Sequence, residues 1–460
     1  MKLYNTLSRK SESIVPIEPG KIKLYTCGPT VYDFAHIGNL RTYIFEDVLR
    51  RTLETNDYNV NQVMNITDVD DKTIRASGGK QEKFKEITHE FEKAFFDDLE
   101  KLNIKKAETI TRATEYVEKM VEFVSDLLDK GFAYKGEDGS IYYSIEKFKD
   151  YGKLSHPNLD ELKVGARVSQ DEYSKENPAD FALWKAWDEA DGEIFWDPST
   201  WFGAGFKLGK GRPGWHIECS TMSQDKLGDT LDIHTGGVDN IFPHHENEIA
   251  QSEARTGKEF VKLWVHGEHL LVDGHKMAKS AGNFYKLIDL EEKGFSPLDF
   301  RYLCLQSHYR SKLNFTWEAL QAAKNARARL SRIVEETRSS KLEARNKLEI
   351  QNSKYYKTFK EKMSVDLNTP EALAVVWEMM RDGKVSNEEK LSVYNEMDEV
   401  LGLYEDVIQN DIPEEIKKLA KEREEAREKK DYKRADELRE QILIGGYKVE
   451  DRDDKYQISR

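Results

Sequence analysis

The segment Phe242-Pro243-His244-His245-Glu246-Asn247-Glu248 sets an imidazole and a carboxylate, His244 and Glu248, four residues apart. The residues that follow, through Ile249, Ala250 and Ala254, keep helical spacing, and side chains four apart leave a helix on one face. His244 and Glu248 can therefore close on one cation, with His245, three residues before Glu248, as a geometric rival. The chain has three cysteines, Cys27, Cys219 and Cys304. Adding Cys27 and Cys219 to the helical pair gives two thiolates, an imidazole and a carboxylate, and the soft sulfurs favour zinc over magnesium or calcium. Spacing alone also fits a plainer reading, in which the cysteines are buried apolar residues and the His/Glu pair is a surface contact.

Two further groupings suit phosphate chemistry. In His36-Ile37-Gly38-Asn39, Gly38 lets a nucleotide approach the backbone. His36, at the N-terminus of an expected helix, can donate to phosphate oxygens as charge builds during displacement at an α-phosphorus. Lys276-Met277-Ala278-Lys279-Ser280 follows Gly274 in an expected loop. Its two mobile ammonium groups, Lys276 and Lys279, can neutralise the β and γ phosphates of ATP and the departing pyrophosphate.

The elements that must position these groups are legible in outline. Residues 22–27 read as a short strand broken by Gly28-Pro29, residues 40–53 carry helical spacing at Ile44, Val48 and Leu49, and an apolar run follows at 60–66. That succession is a βαβ unit of a doubly wound sheet, with ligands beyond the carboxyl ends of its strands. Residues 116–128 read as a helix stopped by Gly131, and Asp138-Gly139 marks a hairpin between 132–134 and 141–143. The stretch to about residue 201 is aromatic and irregular, so it is expected to be an insertion, after which strand-like 231–234 and 263–266 resume the sheet. Beyond about residue 314 the pattern is helical, and residues 413–443 read as a solvated helical hairpin. The expected fold is α/β: a doubly wound, Rossmann-like nucleotide-binding domain split by an insertion and followed by helical C-terminal domains.

Composition agrees with a soluble chain of several units. At 460 residues the chain exceeds one ordinary core, and 34% charged residues argue against a membrane-embedded protein. The N-terminus shows no export signal, no run of about 18 apolar residues occurs, and three cysteines suit a reducing compartment, so a cytoplasmic setting is expected. The net charge of −14 argues against a nucleic-acid partner. Residues 321–348 oppose that, with Lys324, Arg327, Arg329, Arg332, Arg338, Lys341, Arg345 and Lys347 against Glu335, Glu336 and Glu343, a local balance of +5.

The order of these motifs on a split doubly wound fold resembles class I aminoacyl-tRNA synthetases. Thr26-Cys27-Gly28-Pro29-Thr30-Val31-Tyr32-Asp33, Asn65-Ile66-Thr67-Asp68-Val69-Asp70-Asp71-Lys72, Asp180-Phe181-Ala182-Leu183-Trp184-Lys185, Gly214-Trp215-His216-Ile217-Glu218-Cys219-Ser220 and the segment from His244 to Glu248 narrow the resemblance to the cysteinyl-tRNA synthetase family. It covers nearly the whole chain, and Ala426-Arg427 and Ala435-Asp436 extend it less specifically into the C-terminal part.

The resemblance implies one zinc ion per subunit on Cys27, Cys219, His244 and Glu248, which selects His244 over His245. It implies ATP, accompanied by Mg2+, beside His36, Gly38, Asn39, Gly236, Asp239, Lys276 and Lys279, of which His36, Asn39, Lys276 and Lys279 would be catalytic. Gly28, Thr67 and Trp215 would contact L-cysteine. The reaction implied is activation of cysteine to cysteinyl-adenylate and transfer to the 3′ end of tRNA(Cys), with zinc recognising the substrate thiolate. In domain terms, residues 1–115 and 205–313 would be the two halves of the catalytic domain and 116–204 the insertion that receives the acceptor end. Residues 314–405 would contact the tRNA stem and anticodon, and 406–460 the anticodon; a monomer with no membrane association is expected. Asn39 and Ala278 depart from the class motifs, where histidine and serine are common. Asn39 still carries a hydrogen-bond donor, and Ala278 removes no lysine.

Overall fold

The computed structural model describes residues 1–156, 180–277, 282–338, 347–404, 413–429, 431–445, 447–452 and 455–459. Lys279 and Ala278 lie outside the described residues, as does the central part of the expected insertion.

Five strands form one parallel sheet: β1 (Lys21–Thr26), β2 (Asn59–Ile66), β3 (Thr109–Arg112), β4 (Leu231–Gly237) and β5 (Val261–Gly267). Their order is β5-β4-β1-β2-β3, so the winding reverses between β1 and β4, where a crevice opens beyond the strand ends. Parallel strands are covered on both faces, which is why Leu24, Val63, Ile233 and Val265 are all fully buried.

Helix α1 (Ile37–Thr55) joins β1 to β2 and starts three residues before the predicted helix, capped by His36. Its apolar positions pack on the sheet, but Arg41, Glu46, Asp47, Arg50 and Arg51 are buried as well. Buried charge is tolerated only when paired. Arg51 lies 2.8 Å from Asp47, Arg50 2.9 Å from Glu54, and Arg41 donates to the carbonyl of Glu268 at 2.8 Å. Arg301, wholly buried, lies 2.5 Å from Asp47 and also donates to the carbonyls of Leu102 and Leu401, tying α1 to the helical region that follows.

Helix Val117–Asp129 ends at Lys130, with Gly131 at φ +77°. The predicted hairpin is present as Ala133–Lys135 against Ile141–Tyr143. Strands Phe181–Ala186 and Gly211–Pro213 extend it into a four-stranded antiparallel sheet, whose last strand lies past residue 204. The insertion is not free-standing: Val121, Phe123, Tyr143 and Leu183 share one core with Ile217 of helix α3 (Trp215–Leu227) and Ala250 of helix α4 (Glu246–Thr256).

The loop expected after Gly274 begins as a hairpin, His275–Lys276 pairing antiparallel with Leu270–Val272. Helices α5 (Trp317–Arg338), Lys347–Asn352, Lys354–Ser364, Thr369–Arg381 and Asn387–Leu401 follow. Part of the basic stretch is used internally, since Arg327 lies 2.8 Å from Asp299 and Lys324 donates to the carbonyl of Gly294 at 2.7 Å. A second compact unit, 404–460, has helices Glu414–Glu428 and Tyr432–Ile444, strands Lys448–Arg452 and Lys455–Ser459, and a small core of Ile416, Ala420, Ile442, Tyr447 and Val449. No described helix is long and apolar enough to cross a membrane.

Candidate active site and metal centre

Cys27 directly follows β1, Cys219 lies in the first turns of α3, and Glu248 in the first turn of α4. His244 sits just before α4, in the irregular turn Ile241–His245. The two sulfurs are 4.0 Å apart and His244 Nε2 is 3.0 Å from Glu248 Oε1. Zinc–sulfur bonds of about 2.3 Å in a tetrahedral site put two thiolates about 3.8 Å apart, so the sulfur separation fits zinc. Glu248 Oε1 is buried and makes no hydrogen bond, although imidazoles stand at 3.0 and 3.9 Å. An ionised oxygen left unpaired in the interior is costly unless a cation completes it.

A second donor set, Cys27, His234, His245 and Glu248, is equally compact, each set having its ligand atoms within 4.8 Å of one another. It substitutes two imidazoles for Cys219 and His244 and holds one thiolate instead of two. His234 Nε2 lies 3.0 Å from Glu248 Oε2, and His245 Nε2 lies 3.4 Å from Cys27. The remaining nitrogens are engaged too. His244 Nδ1 is 3.0 Å from His216 Nδ1, and His245 Nδ1 is 2.7 Å from His266 Nε2, whose Nδ1 is 2.8 Å from the Thr6 hydroxyl. Such outer contacts fix ring orientation at metal centres.

The electrostatics differ between the sets. Burial pushes Glu248 up, but His234 and His244 outweigh it and hold the carboxyl at about 2. Burial likewise opposes charge on His244, yet Glu248 and Cys219 raise it to about 10. Cys219 is drawn down by Cys27 and His244 against its own burial, while Cys27 is pushed up by its hydrogen bond with Cys219. His245 and His266 are both driven down by burial and stay neutral. Charge concentrates on Cys219, His244 and Glu248.

Beside this cluster lies a cavity of about 390 Å³ at the reversal of the sheet. Cys27, Gly28, His36, Gly38, Asn39, Trp215, Gly236, Asp239 and Lys276 all line it. Cys219, His244, Glu248 and Thr67 are not in its wall. His36 and Asn39 form a reciprocal cap: the Asn39 amide donates to His36 Nδ1 at 3.1 Å and the His36 amide to Asn39 Oδ1 at 3.3 Å. Accepting on Nδ1 puts the ring proton on Nε2. A Cβ on Gly38 would stand 2.5 Å from the terminal carbon of Met277 and 3.0 Å from the His36 ring, so Met277 packs directly over the His36 turn. Lys276 Nζ is 3.0 Å from Asp239, which also meets His269 at 3.2 Å.

Gly28 is fixed still more tightly. A Cβ there would fall 1.6 Å from the carbonyl oxygen of Asn65, and its amide donates to Asn65 Oδ1 at 2.9 Å. Asn65 Nδ2 donates to the Thr67 hydroxyl at 3.2 Å, which donates to Glu218 at 2.8 Å. Thr67 thus reaches the cavity through Asn65 and Gly28.

Residues 13–325 match the model of the tRNA synthetases class I (C) catalytic domain, 358–407 a DALR domain, and 409–458 the cysteinyl-tRNA ligase anticodon binding domain. A cysteine–tRNA ligase of Protochlamydia amoebophila is 47% identical over 466 residues, covering 98% of this chain and 96% of the relative. One of Chlamydia pneumoniae is 47% identical over 462 residues, covering 97% and 96%. This chain belongs to the cysteine–tRNA ligase family. The solved structures it resembles carry the same class I fold at low identity. Mycobacterium tuberculosis methionyl-tRNA synthetase with methionyl-adenylate has a TM-score of 0.56 at 14% identity, over 83% of this chain and 90% of that one. The Agrobacterium radiobacter K84 agnB2 LeuRS–tRNA–LeuAMS complex has a TM-score of 0.58 at 12% identity, over 85% and 84%.

For a cysteine–tRNA ligase, His216, His234 and His266 are the residues around the cluster that spacing did not bring out. Five of the eleven histidines, His216, His234, His244, His245 and His266, gather here. The available signal was an imidazole near the carboxyl end of each of two parallel strands, His234 in β4 and His266 in β5.

Proposed function

We propose that this family member activates L-cysteine with ATP to form cysteinyl-adenylate and pyrophosphate, then transfers the cysteinyl group to the 3′ end of tRNA(Cys). The observation that carries the reading is the double position of Cys27, at once a corner of a four-donor cluster and a wall of the cavity that holds His36, Asn39 and Lys276. An amino acid whose side chain meets that corner has its carboxylate in the same cavity as an incoming triphosphate.

The metal is zinc on Cys27, Cys219, His244 and Glu248, the set with two thiolates. When bound, it supplies a soft Lewis-acid centre that separates a cysteine thiolate from a serine hydroxyl, a distinction side chains alone make poorly. His234 and His216 orient Glu248 and His244, and Trp215, whose ring is 4.3 Å from that of His244, walls the space beside Cys27. Gly28, held by Asn65 and Thr67, lets the backbone approach the amino acid. His36 donates its Nε2 proton to the α-phosphate as the cysteine carboxylate attacks. Lys276 moves from Asp239 to the departing pyrophosphate, Lys279 assists it, and Gly236 and Asp239 face the nucleoside of ATP, which arrives with Mg2+. Residues 116–204 receive the acceptor end, and 314–405 and 406–460 hold the tRNA stem and anticodon. The protein works as a cytoplasmic monomer.

Cysteine-dependent exchange of pyrophosphate into ATP, followed by charging of purified tRNA(Cys), tests the reading. Both activities are expected, with serine inert in exchange. Exchange without charging would overturn the transfer step, and absence of exchange would overturn the whole proposal.

A further inference from the structure

The lysine segment that begins at Lys276 returns, among the described residues, through Asn283, Phe284, Tyr285 and Lys286, and each of the four is attached. Asn283 Nδ2 donates to the carbonyl of Lys276 at 3.3 Å, which joins the returning arm to the outgoing one. The Phe284 ring meets the His36 ring edge-on at 4.9 Å, and the Tyr285 carbonyl accepts from the Ile37 amide at 2.9 Å. The returning arm is thereby laid along the start of α1, with Lys286 bridged antiparallel to His36. Lys286 adds a cation to this clasp. Its Nζ stands 4.6 Å from the centre of the Phe34 ring and 4.0 Å from Asp33 Oδ1. Phe34 in turn rests edge-on against Phe91 of helix α2 (Gln81–Lys101) at 5.1 Å.

By local rules Lys286 is the wrong residue for its place. It is the N-cap of helix Leu287–Glu292, where Ser, Thr, Asp and Asn are favoured because their oxygens accept from free helix amides. An ammonium group cannot accept, and its charge opposes the positive end of the helix. A residue that breaks a local preference is expected where another interaction offsets it. Here that interaction is the contact with Asp33 and Phe34, and both of those residues line the cavity with His36, Lys276, Met277 and Phe284. Lys286 itself is not in the wall.

We propose that Lys286 is a positioning residue for the departure of pyrophosphate. By clasping Asp33 and Phe34 it holds the returning arm against the His36 turn, and that arm, through Asn283, sets the backbone of Lys276 and so the reach of its ammonium group. The inference rests on the function proposed above. In that step a carboxylate oxygen of cysteine bonds to the α-phosphorus, the bond from that phosphorus to the bridging oxygen breaks, and pyrophosphate leaves with the electron pair. Negative charge gathers on the leaving group, so a Lys276 held out of place forfeits its effect where that effect is largest.

Lys286→Ala, Lys286→Ser and Lys286→Arg in the full chain test it. A partly exposed cation over a ring is worth a factor of up to about five. The kcat of cysteine-dependent pyrophosphate exchange is therefore expected to fall about fivefold in Lys286→Ala and Lys286→Ser, with the KM for cysteine within about twofold. Lys286→Arg keeps the cation and most of the rate. Lys286→Ser also gains a capping oxygen, so its urea midpoint is expected not to fall although its rate does. Added to Lys276→Ala, the Lys286→Ala substitution is expected to slow exchange by less than about twofold, because the lysine it positions is gone. A full fivefold loss in that background, an unchanged rate in Lys286→Ser, or rate losses that only follow lowered urea midpoints would overturn the proposal. Failure of the unsubstituted protein to exchange pyrophosphate would instead overturn the function on which it rests.

Discussion

Replacing His234 by phenylalanine separates the two donor sets that share Cys27 and Glu248. The ring is packed among Tyr25, His245 and Trp264 at centroid distances of 5.0, 4.5 and 4.7 Å, so phenylalanine keeps most of that packing while removing the nitrogen 3.0 Å from Glu248 Oε2. If zinc is held by Cys27, Cys219, His244 and Glu248, His234 only orients the carboxylate. Losing such a partner weakens metal affinity by about 10- to 100-fold, or about 1.4 to 2.8 kcal/mol. Cys219→Ser would remove a ligand and leave no stoichiometric zinc. Competition against a chromophoric chelator gives both affinities, and cobalt(II) substitution reports the thiolates through their charge-transfer bands: two in the unsubstituted protein and in His234→Phe. The opposite pattern, stoichiometric zinc at unchanged affinity in Cys219→Ser and none in His234→Phe, would refute the reasoning and move the ion to Cys27, His234, His245 and Glu248.

Other expectations follow from single contacts. Gly28→Ala cannot be accommodated against the Asn65 carbonyl without moving the strand end that carries Cys27; exchange is expected to fall by about 100-fold, and an unaltered rate would contradict the close approach. Lys276→Ala should slow exchange by about 100-fold while shifting stability by less than about 0.5 kcal/mol, because its pair with Asp239 is largely exposed; urea unfolding checks the second half. Arg301→Met leaves Asp47 with Arg51 as its remaining ion-pair partner and removes the donor from the carbonyls of Leu102 and Leu401, at a cost of about 2 to 4 kcal/mol, which the urea midpoint would read. Burial raises the Glu46 carboxyl to about 8 from an ordinary 4.5, so the folded chain holds a proton that the unfolded chain releases. Stability must therefore fall as pH rises through that window, by at most about 5 kcal/mol, and Glu46→Gln should flatten the fall measured between about pH 5 and pH 8.

Local geometry was legible in the sequence and long-range geometry was not. His244 and Glu248 are four residues apart, and helical spacing alone brings them to one face; Cys27 and Cys219, separated by 192 positions, meet only because β1 and α3 flank the same crevice. Family resemblance supplied that pairing, which periodicity could not. Asp138-Gly139 was read as a hairpin turn, yet Asp273-Gly274 is the same signal, with φ of +49° and +79°, and it makes Lys276 part of a hairpin where a loop was expected. The insertion sheet runs past its predicted end because Gly211–Pro213, three residues long, is too short to show alternation. His234 and His266 were hidden because a lone imidazole in a buried strand passes for packing, and only the fold brings the ends of β4 and β5 beside Glu248 and His245.

The cluster and the cavity lined by His36 and Asn39 are two ends of one strand-to-helix connection. Cys27 directly follows β1, Gly28 is pinned to Asn65 near the end of β2, and His36, nine residues after Cys27, caps α1. On the Glu248 side the same logic holds, since β4 ends in the glycines that line the cavity and the chain then turns through His244 into α4. In the proposed reaction, a side chain recognised at Cys27 would be measured against a phosphate bound at His36 by a short stretch of backbone whose path Gly28 fixes. Substitutions that loosen that path should raise the KM for cysteine and lower kcat together, while those confined to the lysine segment should act on kcat with cysteine binding intact. A Gly28→Ala protein that kept its kcat and lost only cysteine affinity would mean that recognition and chemistry are held independently.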